Sequence, residues 1–137
     1  MKKALYAVQG SSGLGKTETL NILVDLLSSV AYTYTIEKYH EYTNDRKAAF
    51  GIGNDTIVVY TAGDNEEEAN SAIQFIKKHK AKMAFAACHG TTSTSRRVLK
   101  EFADENGYDF VVEQKQDDEK ESRKLAVNFF NQIMSEV

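Results

Sequence analysis

The chain has 137 residues, 42% hydrophobic and 27% charged, a globular composition that fits one domain and needs no disulfide or metal staple. Seventeen basic and twenty acidic side chains leave a net charge of −3, which excludes a general attraction to nucleic acid or anionic lipid. A single cysteine, Cys88, and three scattered histidines exclude an internal disulfide and a zinc spacing. No apolar run approaches the ~20 residues of a membrane span, and the start of the chain is too short an apolar run for a signal peptide. A soluble, cytoplasmic protein without membrane association is expected. Proline is absent, and no linker or repeat divides residues 1–137, so a single domain is expected.

In chain order, Lys3 to Val8 is a short apolar run that fits a buried parallel strand. Gly10 to Gly15 break it. Leu20, Leu23, Val24 and Leu27 then mark a helix, and Ile22 and Leu26 add apolar surface that calls for cover beyond the sheet. Tyr32 to Glu37 has strand composition. Lys47 to Ile52 and Thr56 to Thr61 flank Gly53-Asn54-Asp55 and predict a hairpin. Ala69, Ala72, Ile73 and Ile76 define the inner face of a second helix, and Met83 to Cys88 is another buried strand. Val98, Leu99, Phe102 and Ala103 mark a third helix closed by Gly107. Tyr108 to Glu113 is the last strand. Leu125, Ala126, Phe129, Phe130, Ile133 and Met134 stripe the last helix. This alternation predicts an α/β, three-layer αβα sandwich with a mainly parallel sheet, plus one antiparallel strand at an edge.

One motif carries chemistry. Gly10-Ser11-Ser12-Gly13-Leu14-Gly15-Lys16-Thr17 fits G-x-x-x-x-G-K-[ST] at every defined position, between an apolar strand and an amphipathic helix. Glycines allow a tight turn whose N–H groups converge on phosphate oxygens, and the helix start adds unpaired donors and the positive end of its dipole. Lys16 is expected at the β- and γ-phosphates and the Thr17 hydroxyl at Mg²⁺. The alternative is a glycine-rich turn with an incidental lysine.

With this motif and strand–helix order, nearly the whole chain resembles the P-loop NTPase superfamily. In detail it is similar to small nucleoside and metabolite kinases, or to small bacterial and phage P-loop proteins with strings like Gly63-Asp64-Asn65 and Ala87-Cys88-His89. Ser11 stands where some partitioning and septum-site ATPases carry a signature lysine, which disfavours that branch. The resemblance implies ATP or another NTP with Mg²⁺, and an acid after an apolar strand. Ile57-Val58-Val59-Tyr60 is such a run, but Thr61-Ala62-Gly63 separate it from Asp64. Asp64 is the candidate metal-supporting acid because it falls where a parallel strand next to the P-loop would end. It is equally readable as a helix cap, and Asn65 with Glu68 fits a capping box.

Small-molecule kinases of this superfamily carry lid arginines where His89-Gly90-Thr91-Thr92-Ser93-Thr94-Ser95 leads into Arg96-Arg97. Arg96 and Arg97 are thus expected to stabilise transferred phosphoryl charge, or else to form a solvated pair. His89 reads as loop packing and Cys88 as an inert core thiol. Glu37 to Tyr42 is expected either to grip a small-molecule phosphoryl acceptor or to be a polar connection. Gln116 to Glu121 caps and solvates the last helix, and the loop before it lies near the adenine by resemblance. The expected activity is an ATP-dependent phosphotransferase or ATPase, with an oligomer open. A nucleotide-dependent switch or assembly subunit is the alternative, favoured by the short chain and the displaced acid.

Overall fold

The structure is a computed structural model and describes residues 1–11, 15–38, 44–115 and 119–137. Its elements are β1 (Ala4–Gln9), α1 (Lys16–Ser28), β2 (Thr33–Lys38), β3 (Arg46–Ile52), β4 (Asp55–Tyr60), α2 (Glu66–His79), β5 (Met83–Cys88), α3 (Thr94–Asn106), β6 (Asp109–Gln114) and α4 (Glu119–Ser135). They form one six-stranded mixed sheet in the order β2-β3-β4-β5-β1-β6. Strands β4, β5, β1 and β6 are parallel neighbours, while β3 pairs antiparallel with both β2 and β4. The reversed strand therefore lies one place in from the edge. This corrects the expected antiparallel edge strand: β2 takes the edge, because the β3–β4 hairpin leaves a free side on β3 to which β2 pairs.

Side-chain alternation divides the strands between two cores. Ala4, Tyr6 and Val8 of β1 and Met83, Phe85 and Ala87 of β5 face Leu20, Leu23, Val24 and Leu27 of α1 and Ala126, Phe129 and Ile133 of α4. Tyr6 stacks on Phe85 with ring centroids 4.8 Å apart, and Phe129 packs against both rings. Leu5, Ala7, Ala84 and Ala86 face α2 and α3 through Ala72, Ile76, Leu99 and Phe102. Two helices on each face are compatible with a three-layer sandwich. Ile22 is partly buried against the first core with Leu125 and Phe130, so α4 contributes the cover that α1 requires. Met134 departs from the expected stripe and is exposed, since Ala126, Phe129 and Ile133 already fill the inward face of α4.

Every residue of β2 is exposed, including Tyr34 and Ile36, as is Tyr32 just before it. Among the described residues, no helix is long and apolar enough to cross a membrane. Parallel strands with intervening helices bring strand C-termini and helix N-termini to one edge. The reversed β3 begins at that same edge. Lys16, Thr17, Asp45 and Asp64 gather there.

Candidate functional site at the C-terminal edge of the sheet

Gly15 caps α1 in the left-handed conformation, φ 85° and ψ 21°, with no side-chain cap. Such a backbone suits glycine, which has no Cβ to clash. A Cβ there would also meet Ser122 Oγ at 3.1 Å. Because glycine has no side chain to cap with, the first turn of α1 has donors left for a group other than its N-cap residue.

Lys16, the first helical residue, is buried, with only 6% of its surface exposed. Its Nζ donates to Asp64 Oδ1 at 2.6 Å and to the Cys88 carbonyl oxygen at 3.2 Å. A buried ammonium needs such partners to offset lost hydration. The Gly10 N–H donates to the same Cys88 carbonyl, also at 3.2 Å. Both described ends of the glycine-rich segment thus converge on one oxygen at the end of β5. Ser12, Gly13 and Leu14, expected in the phosphate cradle, lie outside the described residues. Ser11 is exposed.

Asp64 is half exposed and pairs with Lys16 although β4, the strand before it, is not next to β1. Its expected placement after an adjacent strand is corrected: β5 lies between. Two strand spacings amount to about 10 Å, close to the reach of three extended residues. Thr61, Ala62 and Gly63 are those three. They are buried and carry the chain across the end of β5, where a Cβ on Gly63 would lie 1.8 Å from the Ala87 carbonyl oxygen. The displacement of the acid from its apolar run follows from this crossing. The cap of α2 is Asn65, whose side chain accepts from Glu68 N–H at 2.9 Å, while Glu68 accepts from Asp64 N–H at 2.7 Å. Asp64's carboxylate is directed to Lys16, not to the helix.

A second carboxylate sits beside Thr17. Asp45 Oδ1 accepts from Thr17 Oγ1 at 3.1 Å and from Thr61 Oγ1 at 2.9 Å. Arg46 N–H donates to Thr61 Oγ1, and Thr61 N–H to the Arg46 carbonyl, which locks the start of β3 to the end of β4. Arg46 also reaches Asn21 and Asp25, and Asn21 donates to the Asn44 carbonyl, so α1 holds the same segment. Sequence reasoning misses Asp45 because it precedes its strand. The available signal is the hairpin itself, since an antiparallel strand places its preceding residues at the ligand-facing edge.

The two arginines separate. Arg97 is exposed and pairs with Glu101 at 3.5 Å on α3. Arg96 donates to the Thr91 carbonyl at 3.3 Å, and its guanidinium lies 5.9 Å from the Phe110 ring centre. Gln9 donates to Thr91 and Gln114 beneath this loop. His89 N–H donates to Ser95 Oγ, and Ser93 caps α3. His89, Ser93 and Ser95 line a cavity of about 320 Å³ together with Asp64 and Asn65. A larger one, about 440 Å³, runs along α3 past Arg96, Arg97 and Glu101 and includes none of Lys16, Thr17, Asp45 or Asp64. Lys115 is buried and its Cε would lie 3.6 Å from a Cβ on Gly15. Glu37 and Lys38 end β2, while residues 39–43 and 116–118, expected at the acceptor and the last-helix cap, lie outside the described residues.

Burial pushes the Cys88 thiol from an ordinary value near 9 up to about 11, and the charges of Lys16 and Arg96 pull the other way. The thiol is therefore neutral at pH 7. The native thiol keeps its proton where the unfolded chain has released it. Its contribution to stability is complete below about pH 9 and falls as pH rises toward 11. Replacing Cys88 with alanine is expected to remove about 2 kcal/mol of that alkaline loss, because holding a proton one pH unit beyond its ordinary release is worth about 1.4 kcal/mol. Urea denaturation of parent and variant at about pH 8 and pH 10.5 checks this. Equal losses in both would exclude it. Burial also raises Tyr6 and Tyr108, and their shared contribution cancels in the comparison.

Among the described residues, no group of three or more His, Cys, Asp and Glu gathers to hold a metal alone. A hydroxyl and a carboxylate do suit Mg²⁺, which takes oxygen ligands and commonly completes its shell with water and substrate phosphate. No protein-family model, no curated protein and no solved structure matches this chain.

Proposed function

We propose that this protein binds Mg²⁺-ATP, or another nucleoside triphosphate, at Gly10–Thr17 as a P-loop protein and acts as a small phosphotransferase or ATPase. The observation that carries this reading is the buried Lys16 ammonium at the first turn of α1, held at the sheet edge by Asp64 and the Cys88 carbonyl. A lysine placed there costs stability unless it is paired, and its position at an uncapped helix start suits the oxygens of a polyphosphate.

In this reading Ser11, Ser12, Gly13, Leu14 and Gly15 supply backbone donors, Gly10 ties the start of the segment to the Cys88 carbonyl, and Lys16 supplies a full positive charge to the β- and γ-phosphates. Bound Mg²⁺ would neutralise phosphate oxygens beside the Thr17 hydroxyl, with Asp64 or Asp45 as the supporting carboxylate. Arg96 is the better placed of the two lid candidates, because its guanidinium is held at the loop after β5 by the Thr91 carbonyl. Arg97 is engaged with Glu101 and would have to exchange that exposed pair for phosphate. Phosphoryl transfer depends mainly on positioning and charge stabilisation, so these groups suffice without a histidine base. A cytoplasmic nucleotide pool would supply the ligand.

The test is calorimetric ATP binding followed by Mg²⁺-ATP turnover, with and without a panel of nucleosides and small metabolites. Binding with turnover that rises only in the presence of an acceptor selects the phosphotransferase. Acceptor-independent phosphate release selects the ATPase, and binding without turnover the nucleotide switch. No binding of any nucleoside triphosphate would reject the reading altogether.

A further inference from the structure

We infer that Asp45, not Asp64, is the carboxylate that supports the metal beside Thr17, and that Asp64 is instead the resting counter-ion of Lys16. This rests on the proposed nucleotide site and assigns its two acids different work. The two carboxylates approach the glycine-rich segment at different atoms. Asp45 Oδ1 is 3.1 Å from the Thr17 hydroxyl and is also held by Thr61. Asp64 Oδ1 is 2.6 Å from the Lys16 ammonium.

The chemistry of each contact differs accordingly. A threonine hydroxyl and a carboxylate are both hard oxygen donors, and together they suit Mg²⁺. The hydroxyl can turn a lone pair to a cation while its O–H still donates to Asp45, so the carboxylate keeps that donor and also feels the cation's charge. Thr61 stays on the carboxylate and keeps it in place, while Arg46 N–H holds Thr61 in turn. Asp64, in contrast, occupies the ammonium that a phosphate must recruit. Its negative charge competes with phosphate for Lys16 and is half exposed, so it can be displaced into water.

The experiment compares ATP affinity by calorimetry in Mg²⁺ and in EDTA for the parent, Asp45→Asn and Asp64→Asn. Asparagine keeps an acceptor oxygen for Thr17 and Thr61, so Asp45→Asn should fold, and a thermal melt verifies it. In Asp45→Asn the gain in affinity conferred by Mg²⁺ is expected to shrink about 10- to 100-fold, the scale for losing a group that supports a bound metal. Its affinity in EDTA should not fall. In Asp64→Asn the gain from Mg²⁺ is expected to persist, and affinity in EDTA to rise by up to about fivefold, the worth of a part-exposed ion pair.

A lost Mg²⁺ gain in Asp64→Asn together with a retained one in Asp45→Asn would overturn the assignment. Equal behaviour of the two variants would also overturn it. If Asp45→Asn fails to fold, Asp45→Ser replaces it with the same expected results. Failure of the underlying nucleotide reading looks different: the parent itself would then bind no ATP in either buffer.

Discussion

Replacing Lys16 with alanine is expected to weaken ATP binding by about 30- to 150-fold, because a charged hydrogen bond to phosphate contributes about 2–3 kcal/mol. The fold should survive. The Cys88 carbonyl keeps its bond from Gly10 N–H, and Asp64 is half exposed and can be solvated once its partner is gone. The loss of stability should stay near 1 kcal/mol, in contrast to the larger cost of stranding a fully buried charge, so roughly a third of that cost is expected. Calorimetry gives the affinity and urea denaturation the stability. An unchanged affinity in a folded Lys16→Ala protein would remove Lys16 from the phosphate site.

The second large effect concerns a residue with no chemistry of its own. A Cβ on Gly63 would lie 1.8 Å from the Ala87 carbonyl oxygen and 2.3 Å from its carbon. The obstacle is the backbone of β5, which is hydrogen-bonded on both sides by β4 and β1 and cannot yield as a side-chain tip would. Gly63→Ala is expected to cost about 3 kcal/mol or more, at the upper end for overpacking, and to move Asp64 away from Lys16. Gly90→Ala is the matched control, since nothing lies within 4 Å of a Cβ there, and should change stability by less than about 0.5 kcal/mol. A Gly63→Ala protein as stable as the control in urea would show that the segment 61–63 is not tightly laid over β5.

The same segment shows what a linear reading can and cannot extract. The six strands and four helices are legible because apolar periodicity is a local signal, and the boundaries of β1, β2 and β5 fall within a residue of it. Lys16 and Thr17 are legible for the same reason. Asp64 is found through its neighbours, but in sequence its distance from the apolar run looks like a defect. Sheet order turns that distance into a requirement, and sheet order is set by long-range pairing that no window of sequence contains. The position of β2 at the edge escapes for the same cause. Asp45 escapes because its significance comes from Thr17 and Thr61, 28 and 16 residues away. Arg96 and Arg97 look equivalent in sequence, yet a helix turns successive residues by about 100°, which sends one toward Phe110 and the other toward solvent.

The reversed direction of β3 has a consequence for how this chain can vary. Residues that follow a parallel strand are tied to the site by the strand before them, so an insertion in Thr61–Gly63 would push Asp64 out of reach. Asp45 is anchored from the other side, by Arg46 in β3 and by Asn21 of α1. Extra length between Lys38 and Asn44 would therefore leave the Asp45–Thr17 contact in register, and doubling such a connection costs only about 0.6 kcal/mol in closure entropy. An engineered chain could take up extra length in the connection between β2 and β3 without losing the Asp45–Thr17 contact.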